Sequence, residues 1–307
     1  MSEIVNARVA MDGPPRASAR RIAIIVNPVA GKYRRSRIGA IAQILRRDGR
    51  HVEIAESAGP GCIREIARAI PADMVLAAGG DGTINEAVAG LLDRASPRPA
   101  FGVIPQGTAN VLGHELGLPR GAQDLANVFL AGHTRKLHPG LANGRPFVLM
   151  ASAGLDAEVV SSVNLSLKKK LGGLAYIVAA ARTLNREAKD IEATIGDTRI
   201  LAKLFIVSKA KRYGGNYLLD PDADIFNPGF TLVAVSDIRP FALCKIGLAL
   251  MAGRLDNVSG IRKMRVKAVY LRSRDTVATQ IDGDVLGVTP LIVSEGCEAL
   301  DILTPKA

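Results

Sequence analysis

The chain has 307 residues, with 40 Lys and Arg against 29 Asp and Glu, a formal net charge of +11. Its 48% hydrophobic and 22% charged residues make a globular composition, and the length suggests two domains. The absence of Trp and an aromatic content of 4% argue against base-stacking nucleic-acid modules, so no nucleic-acid partner is expected.

Residues 1–20 read as a flexible polar tail with a Pro14-Pro15 break, no apolar secretory core, and a second candidate start at Met11. From Arg21 to about Leu137 strand and helix patterns alternate. Arg21–Val26 is an apolar strand that stops at Asn27-Pro28, a turn signal. Ser36–Asp48 carries Ile38, Ile41, Ile44 and Leu45 at helical spacing, with Ser36 as the expected N-cap and Gly49 as the stop. His51–Ala55 reads as a strand, Cys62–Ile70 as a helix and Asp73–Ala78 as a buried strand. Gly79–Thr83 reads as a loop, Ile84–Leu92 as a helix, and Ala100–Ile104 as a strand. Gly107–Asn110 is then a loop before a helix to Leu116. This alternation predicts a parallel sheet covered by helices, with ligands at the carboxyl ends of its strands.

After about His138 the grammar changes. Pro146–Ala153, Ile191–Ile195, Arg199–Val207, Phe230–Val235, Met264–Leu271 and Thr276–Ile281 read as strands of a mainly antiparallel domain. Helical inserts are expected at Leu174–Asn185 and Pro240–Ala252. The most apolar windows, Leu174–Leu184 and Phe241–Gly253, fall short of the ~20 residues that a membrane span needs. Cys62, Cys244 and Cys297 are odd in number and lack a CxxC pair. They are read as small buried apolar residues in a reducing compartment, hence a cytoplasmic protein.

Three glycine-containing loops each follow an apolar strand of the first domain. They are Asn27-Pro28-Val29-Ala30-Gly31-Lys32, Gly79-Gly80-Asp81-Gly82-Thr83 and Pro105-Gln106-Gly107-Thr108-Ala109-Asn110. Glycine allows close backbone approach to a bulky anion, and the following helix N-terminus offers N–H groups to phosphate. Thr83, Thr108 and Lys32 add hydroxyls and charge, so the set reads as a polyphosphate site. Neither a P-loop nor a G-x-G-x-x-G fingerprint is present. Asp81 would be repelled by phosphate unless Mg²⁺ bridges them, which makes it the candidate metal ligand. Its plainer reading is a cap of the helix from Ile84.

These motifs carry a resemblance. VNPVAGK (Val26–Lys32), AAGGDGTINEAVAGL (Ala77–Leu91), IPQGTANVLGHELGLP (Ile104–Pro119), SAGLDAEVV (Ser152–Val160) and IDGD (Ile281–Asp284) occur in one order. The chain resembles the diacylglycerol kinase catalytic-domain family, in its soluble bacterial lipid-kinase branch that includes sphingosine- and ceramide-type kinases. The resemblance implies an α/β nucleotide-binding domain, a β-sandwich-like lipid domain, and ATP with Mg²⁺ in the cleft between them. It divides the chain into 21–138, 139–297 and a last strand, within 298–307, that returns to the first domain. By position it puts Asn27, Pro28, Val29, Ala30, Gly31, Ser57, Gly79, Gly80, Asp81, Gly82, Thr83, Ile84, Asn85 and Thr108 at the nucleotide. Asp284 takes the place of the family's proton-accepting Glu, one methylene shorter.

A second departure lies in Asn227-Pro228-Gly229, where the family often has Asn-Asp-Gly and a structural Mg²⁺. Proline brings no carboxylate, so that site is expected to be weak or absent, the alternative being that the nearby Asp220, Asp222 and Asp224 compensate, since hard cations accept several oxygen arrangements. Basic clusters at Lys32–Arg37, Arg46–Arg50, Lys168–Lys170, Lys209–Arg212 and Arg262–Lys267 suit peripheral contact with an anionic membrane. Lys168–Lys170 and Leu171–Tyr176 are the expected membrane-facing lip. The leading reading is an ATP-dependent lipid kinase acting on a diacylglycerol-like or ceramide-like hydroxyl. A non-catalytic nucleotide-binding regulator and an NAD-kinase-like small-molecule kinase are the alternatives, and a homodimer stays open.

Overall fold

The structure is a computed structural model that describes residues 12–13, 19–162, 189–215, 217–296 and 298–306. The helix expected at Leu174–Asn185, the membrane lip at 168–176 and Cys297 lie outside these residues.

The first layer set opens with the short edge strand β1 (Asp12–Gly13), then β2 (Arg21–Val26), α1 (Arg35–Arg47), β3 (His51–Glu56), α2 (Cys62–Ala69), β4 (Met74–Gly79) and α3 (Asp81–Leu92). It continues with β5 (Ala100–Pro105), α4 (Val111–Glu115), α5 (Ala122–Ala131) and β6 (Thr134–Leu137). Ile22, Ile24 and Val26 of β2 face one apolar cluster with α1 and α5, while Ala23 and Ile25 face another with α2 and α3. That division is the period-two alternation of a strand covered on both faces. β2 pairs in parallel with β3 on one side and β4 on the other, and β4 pairs in parallel with β5. The chain therefore winds both ways from β2, and the carboxyl ends of β2, β4 and β5 open on one crevice.

The second part comprises β7 (Gly140–Ala142), β8 (Arg145–Phe147), β9 (Met150–Gly154), α6 (Leu155–Ser162), β10 (Ile191–Ile195), β11 (Thr198–Ala202) and β12 (Leu204–Ser208). A small hairpin, β13 (Arg212–Tyr213) and β14 (Tyr217–Leu218), precedes β15 (Phe230–Val235), α7 (Pro240–Ala252), β16 (Ile261–Val266) and β17 (Ala268–Ser273). β18 (Ala278–Ile281), β19 (Asp284–Val288), β20 (Leu291–Glu295) and β21 (Leu300–Leu303) complete the chain. Two six-stranded sheets form here, in the orders β11-β10-β17-β20-β7-β8 and β16-β15-β12-β9-β18-β19. Their inner faces share a core of Phe147, Phe205, Phe230, Leu232, Val269 and Leu271, an antiparallel sandwich. β21 leaves the sandwich and lies between β5 and β6 in the first sheet.

Three apolar runs read as single strands are each two strands in different sheets. Pro146–Ala153 breaks between β8 and β9, Arg199–Val207 between β11 and β12, and Met264–Leu271 between β16 and β17. At the last two breaks one lysine, Lys203 or Lys267, separates strands that cross the sandwich edge. One residue is too short a gap to interrupt an apolar pattern, which is why each pair read as one run. Two helix starts also differ. α1 begins at Arg35 with Arg34 in the cap position instead of Ser36, because Arg34 N–H is held by Gln106 Oε1 at 3.0 Å. α3 begins at Asp81, inside the glycine loop. The cysteines differ as well: Cys62 is half-buried at the start of α2, and Cys244 is exposed on α7.

The opposite face of the second sandwich sheet shares a continuous apolar cluster with α2 and α3, through Met150, Leu204, Ile206, Val233 and Val235. The two halves thus bury surface against each other, and the crevice at the carboxyl ends faces the sandwich.

Candidate functional site

The three glycine loops touch. Asn27 Nδ2 donates to Thr83 Oγ1 at 2.9 Å, which ties the first loop to the second. A Cβ on Gly31 would lie 2.9 Å from Thr108 Oγ1, which puts the first loop against the third. A Cβ on Gly107 would lie 2.5 Å from Gly80 Cα, a contact that no side chain tolerates. Only glycine lets the second and third loops approach this closely.

Gln106 knits the same loops from beneath. Its N–H donates to Gly79 O at 2.8 Å, its carbonyl accepts Lys32 N–H at 2.9 Å, and its side chain holds Arg34 N–H. It is 2% exposed. Asn110 adopts φ 49°, and its amide bonds both the N–H and the carbonyl of Gly107 at 2.7 and 2.9 Å. Both lie in the third loop, but the sequence reading gave neither a role of its own. The one available signal was a pair of amides flanking Gly-Thr in an otherwise apolar stretch.

Asp81 caps a helix, but a different one from that expected. Its carboxylate accepts the N–H groups of Val111 and Leu112, both at 3.2 Å, at the start of α4. Ile84 is wholly buried, and its N–H bonds to Gly80 O within the helix. Asn85 donates from Nδ2 to Pro146 O at 3.0 Å and to Asp282 Oδ2 at 2.7 Å. Both side chains thus lie below the loop surface, Asn85 in the joint between the halves. Ser57, at the end of β3, donates its hydroxyl to Gly59 O at 3.1 Å, while Val29 is 70% exposed at the tip of the first loop.

The second half contributes the hairpin of β18 and β19. Asp282 and Gly283 form its turn with φ of 49° and 85°, the left-handed pair that a two-residue hairpin favours. Asp282 is buried. Its carboxylate receives N–H from Val148, Leu149 and Met150 at 2.8–2.9 Å, besides the Asn85 amide. Burial pushes its pKa up to about 6 against those four donors, so it is ionised at neutral pH. Two residues on, Asp284 is exposed and leans across to the second glycine loop. A Cβ on Gly82 would lie 2.7 Å from Asp284 Oδ2. A carboxylate of the sandwich therefore stands directly over the Gly79–Thr83 turn of the α/β half.

α4 adds a second tie between the halves. The Glu115 carboxylate accepts N–H of Lys211 and Arg212 at 3.2 and 3.0 Å and pairs with the Arg212 guanidinium at 3.2 Å. Asp156 on α6 accepts from Gln280 Nε2 at 2.9 Å and from the Tyr213 hydroxyl.

The Asn227-Pro228-Gly229 loop does not fit a divalent ion. The ammonium of Lys209, 2% exposed, donates to Asn227 O at 2.9 Å and Gly229 O at 3.0 Å. Burial lowers its pKa to about 8, which leaves it charged at neutral pH. Asp224 is engaged by Phe226 N–H and the Asn227 amide, and Asp220 by the Thr231 hydroxyl. A lysine read as part of a surface cluster thus occupies the place of a cation in this loop. Among the described residues no three His, Cys, Asp or Glu side chains gather as a metal site.

This architecture, an α/β crevice faced by an antiparallel sandwich, has known relatives. Residues 21–142 match the diacylglycerol kinase catalytic domain, and residues 150–304 match the YegS C-terminal NAD kinase beta sandwich-like domain. The chain is 30% identical over 295 residues to the diacylglycerol kinase of Staphylococcus epidermidis, covering 94% of this chain and 93% of that one. It is 27% identical over 299 residues to that of Staphylococcus carnosus, covering 94% and 96%. A diacylglycerol kinase crystal structure from Bacillus anthracis superposes with a TM-score of 0.69 at 18% identity, over 94% of this chain and 97% of that one. The crystal structure of a putative diacylglycerol kinase from the same organism gives 0.77 at 21% identity, over 94% and 98%. The chain belongs to the diacylglycerol kinase family, a family of lipid kinases.

Proposed function

We propose that this protein transfers the terminal phosphoryl group of ATP to a hydroxyl of a diacylglycerol-like or ceramide-like lipid, in the crevice between its two halves. The observation that carries the reading is the position of Asp284 Oδ2 above Gly82. It sets a proton-accepting carboxylate against a glycine cradle of the kind that binds phosphates.

The residues fit a nucleotide because three loops offer backbone at one sheet edge with glycine where a Cβ would collide. Asn27, Gly31, Gly79, Gly80, Gly82, Thr83 and Thr108 would hold the phosphates, with the α3 N-terminus turned toward them. Bound ATP would supply the phosphoryl group, and Mg²⁺ carried with it would offset the charge that develops on transfer. Asp81, fixed in place by its helix-capping bonds, is the residue that would hold the Mg²⁺. Asp284 takes the proton from the acceptor hydroxyl and aims that oxygen at the cradle. Asp282 holds the hairpin turn rigid, so that Asp284 projects from a fixed base. Asn85 and Glu115 keep the two halves in register.

The test is transfer of labelled phosphate from ATP to a panel of diacylglycerols, ceramides and sphingoid bases in detergent with Mg²⁺. A labelled lipid made by the wild type and not by Asp284→Ala is expected. ATP binding with no labelled lipid would favour a nucleotide-binding regulator, and labelled NAD in a parallel arm would favour a small-molecule kinase.

A further inference from the structure

We propose that the outer stripe of α7 seats the protein on an anionic bilayer, an inference that rests on the lipid-kinase reading for its choice of partner. The helix runs from Pro240 to Ala252 and none of its residues is buried. Phe241, Leu248 and Met251 are 73%, 67% and 70% exposed. With Cys244 they fall at positions i, i+3, i+7 and i+10, which is one face of a helix. The opposite face, Ile246, Ala249 and Leu250, packs on the apolar cluster shared by the two halves. α7 is therefore fixed to the body by one stripe and presents a second apolar stripe outward. Scattered apolar residues need no explanation, but an aligned stripe of this kind marks a docking face.

Charge selects the occupant. Arg239 pairs with Asp237 at 2.6 Å and Asp256 with Lys263 at 2.8 Å, so the net positive charge beside the stripe comes from Lys245 and Arg254. The Lys245 ammonium sits 4.5 Å from the centre of the Phe241 ring, so cation and aromatic occupy one level, as at a membrane–water boundary. Tyr217 of β14, which packs against α7, is 47% exposed and adds an amphipathic ring. At ~1.5 Å per residue the helix is too short to span a bilayer but has the length of one that lies in its surface. No described helix is long and apolar enough to cross. A two-fold pairing of this face with a second copy would instead bring two sets of like cations together.

The face is also coupled to the crevice. β14 pairs with β13, where Arg212 clasps Glu115, and Glu115 ends the short helix that follows the third glycine loop. A bilayer held against α7 would thus lie beside the hairpin that braces the two halves.

The chain has no Trp, so Phe241→Trp makes a single reporter on this stripe. Its emission should shift to the blue, and lose acrylamide quenching, when phosphatidylcholine–phosphatidylglycerol vesicles are added, with a smaller shift on phosphatidylcholine alone. An emission unmoved by anionic vesicles overturns the proposal. So does an emission already blue without vesicles, or one that follows protein concentration, since the face would then be covered by this chain or a second copy. In parallel, the triple variant Phe241→Ser, Leu248→Ser, Met251→Ser should stop floating with vesicles yet keep its activity on short-chain diacylglycerol in detergent. A variant that floats like the wild type also overturns the proposal. A vesicle-induced shift with no lipid phosphorylated in detergent would support the docking face and count against the kinase reading alone.

Discussion

Asp282 and Asp284 stand one glycine apart in opposite surroundings. Asp282 is buried under four N–H donors, while Asp284 is exposed and lies over Gly82. Asp284→Ala should lower the rate of lipid phosphorylation by about 100-fold or more, the usual worth of a positioned base, with ATP affinity unchanged. Asp284→Glu should restore activity well above the alanine variant; equal rates for the two would remove the base from the mechanism. Asp282→Asn exchanges an acceptor for a group that turns an N–H toward other N–H groups. It should destabilise the fold by about 1–3 kcal/mol, seen as a lower melting temperature at neutral pH. The pH dependence has a definite sign. Because the folded pKa of Asp282 is raised from 3.8 to about 6, the folded state binds the extra proton between those values. Its contribution to stability is full below about 4 and is lost as pH rises through 6, so the gap between wild type and Asp282→Asn should change across that window. Parallel pH–stability curves for the two would show that Asp282 does not titrate in this way.

At the scale of loops and strands, glycine is required where two backbones meet. Gly107→Ala would drive a Cβ to 2.5 Å from Gly80 Cα, a backbone atom that cannot rotate away. The variant should fold and lose ATP affinity by at least tenfold in calorimetry, and an unchanged affinity would separate these loops from the nucleotide. Lys209→Met takes the ammonium donor away from the Asn227 and Gly229 carbonyls and should lower stability by about 1 kcal/mol, whereas EDTA should leave the wild-type melting temperature unchanged. A drop on chelation would mean that a divalent ion, and not this ammonium, holds the loop.

The glycine loops were legible because a turn after a buried strand carries its own punctuation in sequence. So were β2, β4 and β5, whose unbroken apolar runs fit a doubly covered sheet, and α7, whose predicted span the structure reproduces. The sheet switches at Lys203 and Lys267 were not, since a strand that changes sheets keeps its apolar pattern while only its partners change. The role of Asp282 was also hidden. An Asp-Gly pair reads as a surface turn, and nothing local says that residues 148–150 will fold over it.

At the scale of the whole chain the two halves are joined by a common apolar cluster, by Asn85 on Asp282 and by Glu115 on Arg212. Melting followed by calorimetry should therefore give one heat-absorption peak, with domains that share a core losing it together. Two peaks would show that the halves hold their structure separately and meet only loosely across the crevice. The placement of the reacting groups depends on that joint, because the cradle comes from one half and Asp284 from the other.

The seat of β21 between β5 and β6 has a bearing on how the molecule is born. On the ribosome the first sheet emerges with a slot in its interior, flanked by two unpaired strand edges that stay open while the whole sandwich is being made. Open edges recruit other strands. The nascent first half must wait, shielded, for its last strand to arrive, and a fragment that stops at 142 should precipitate where the full chain does not.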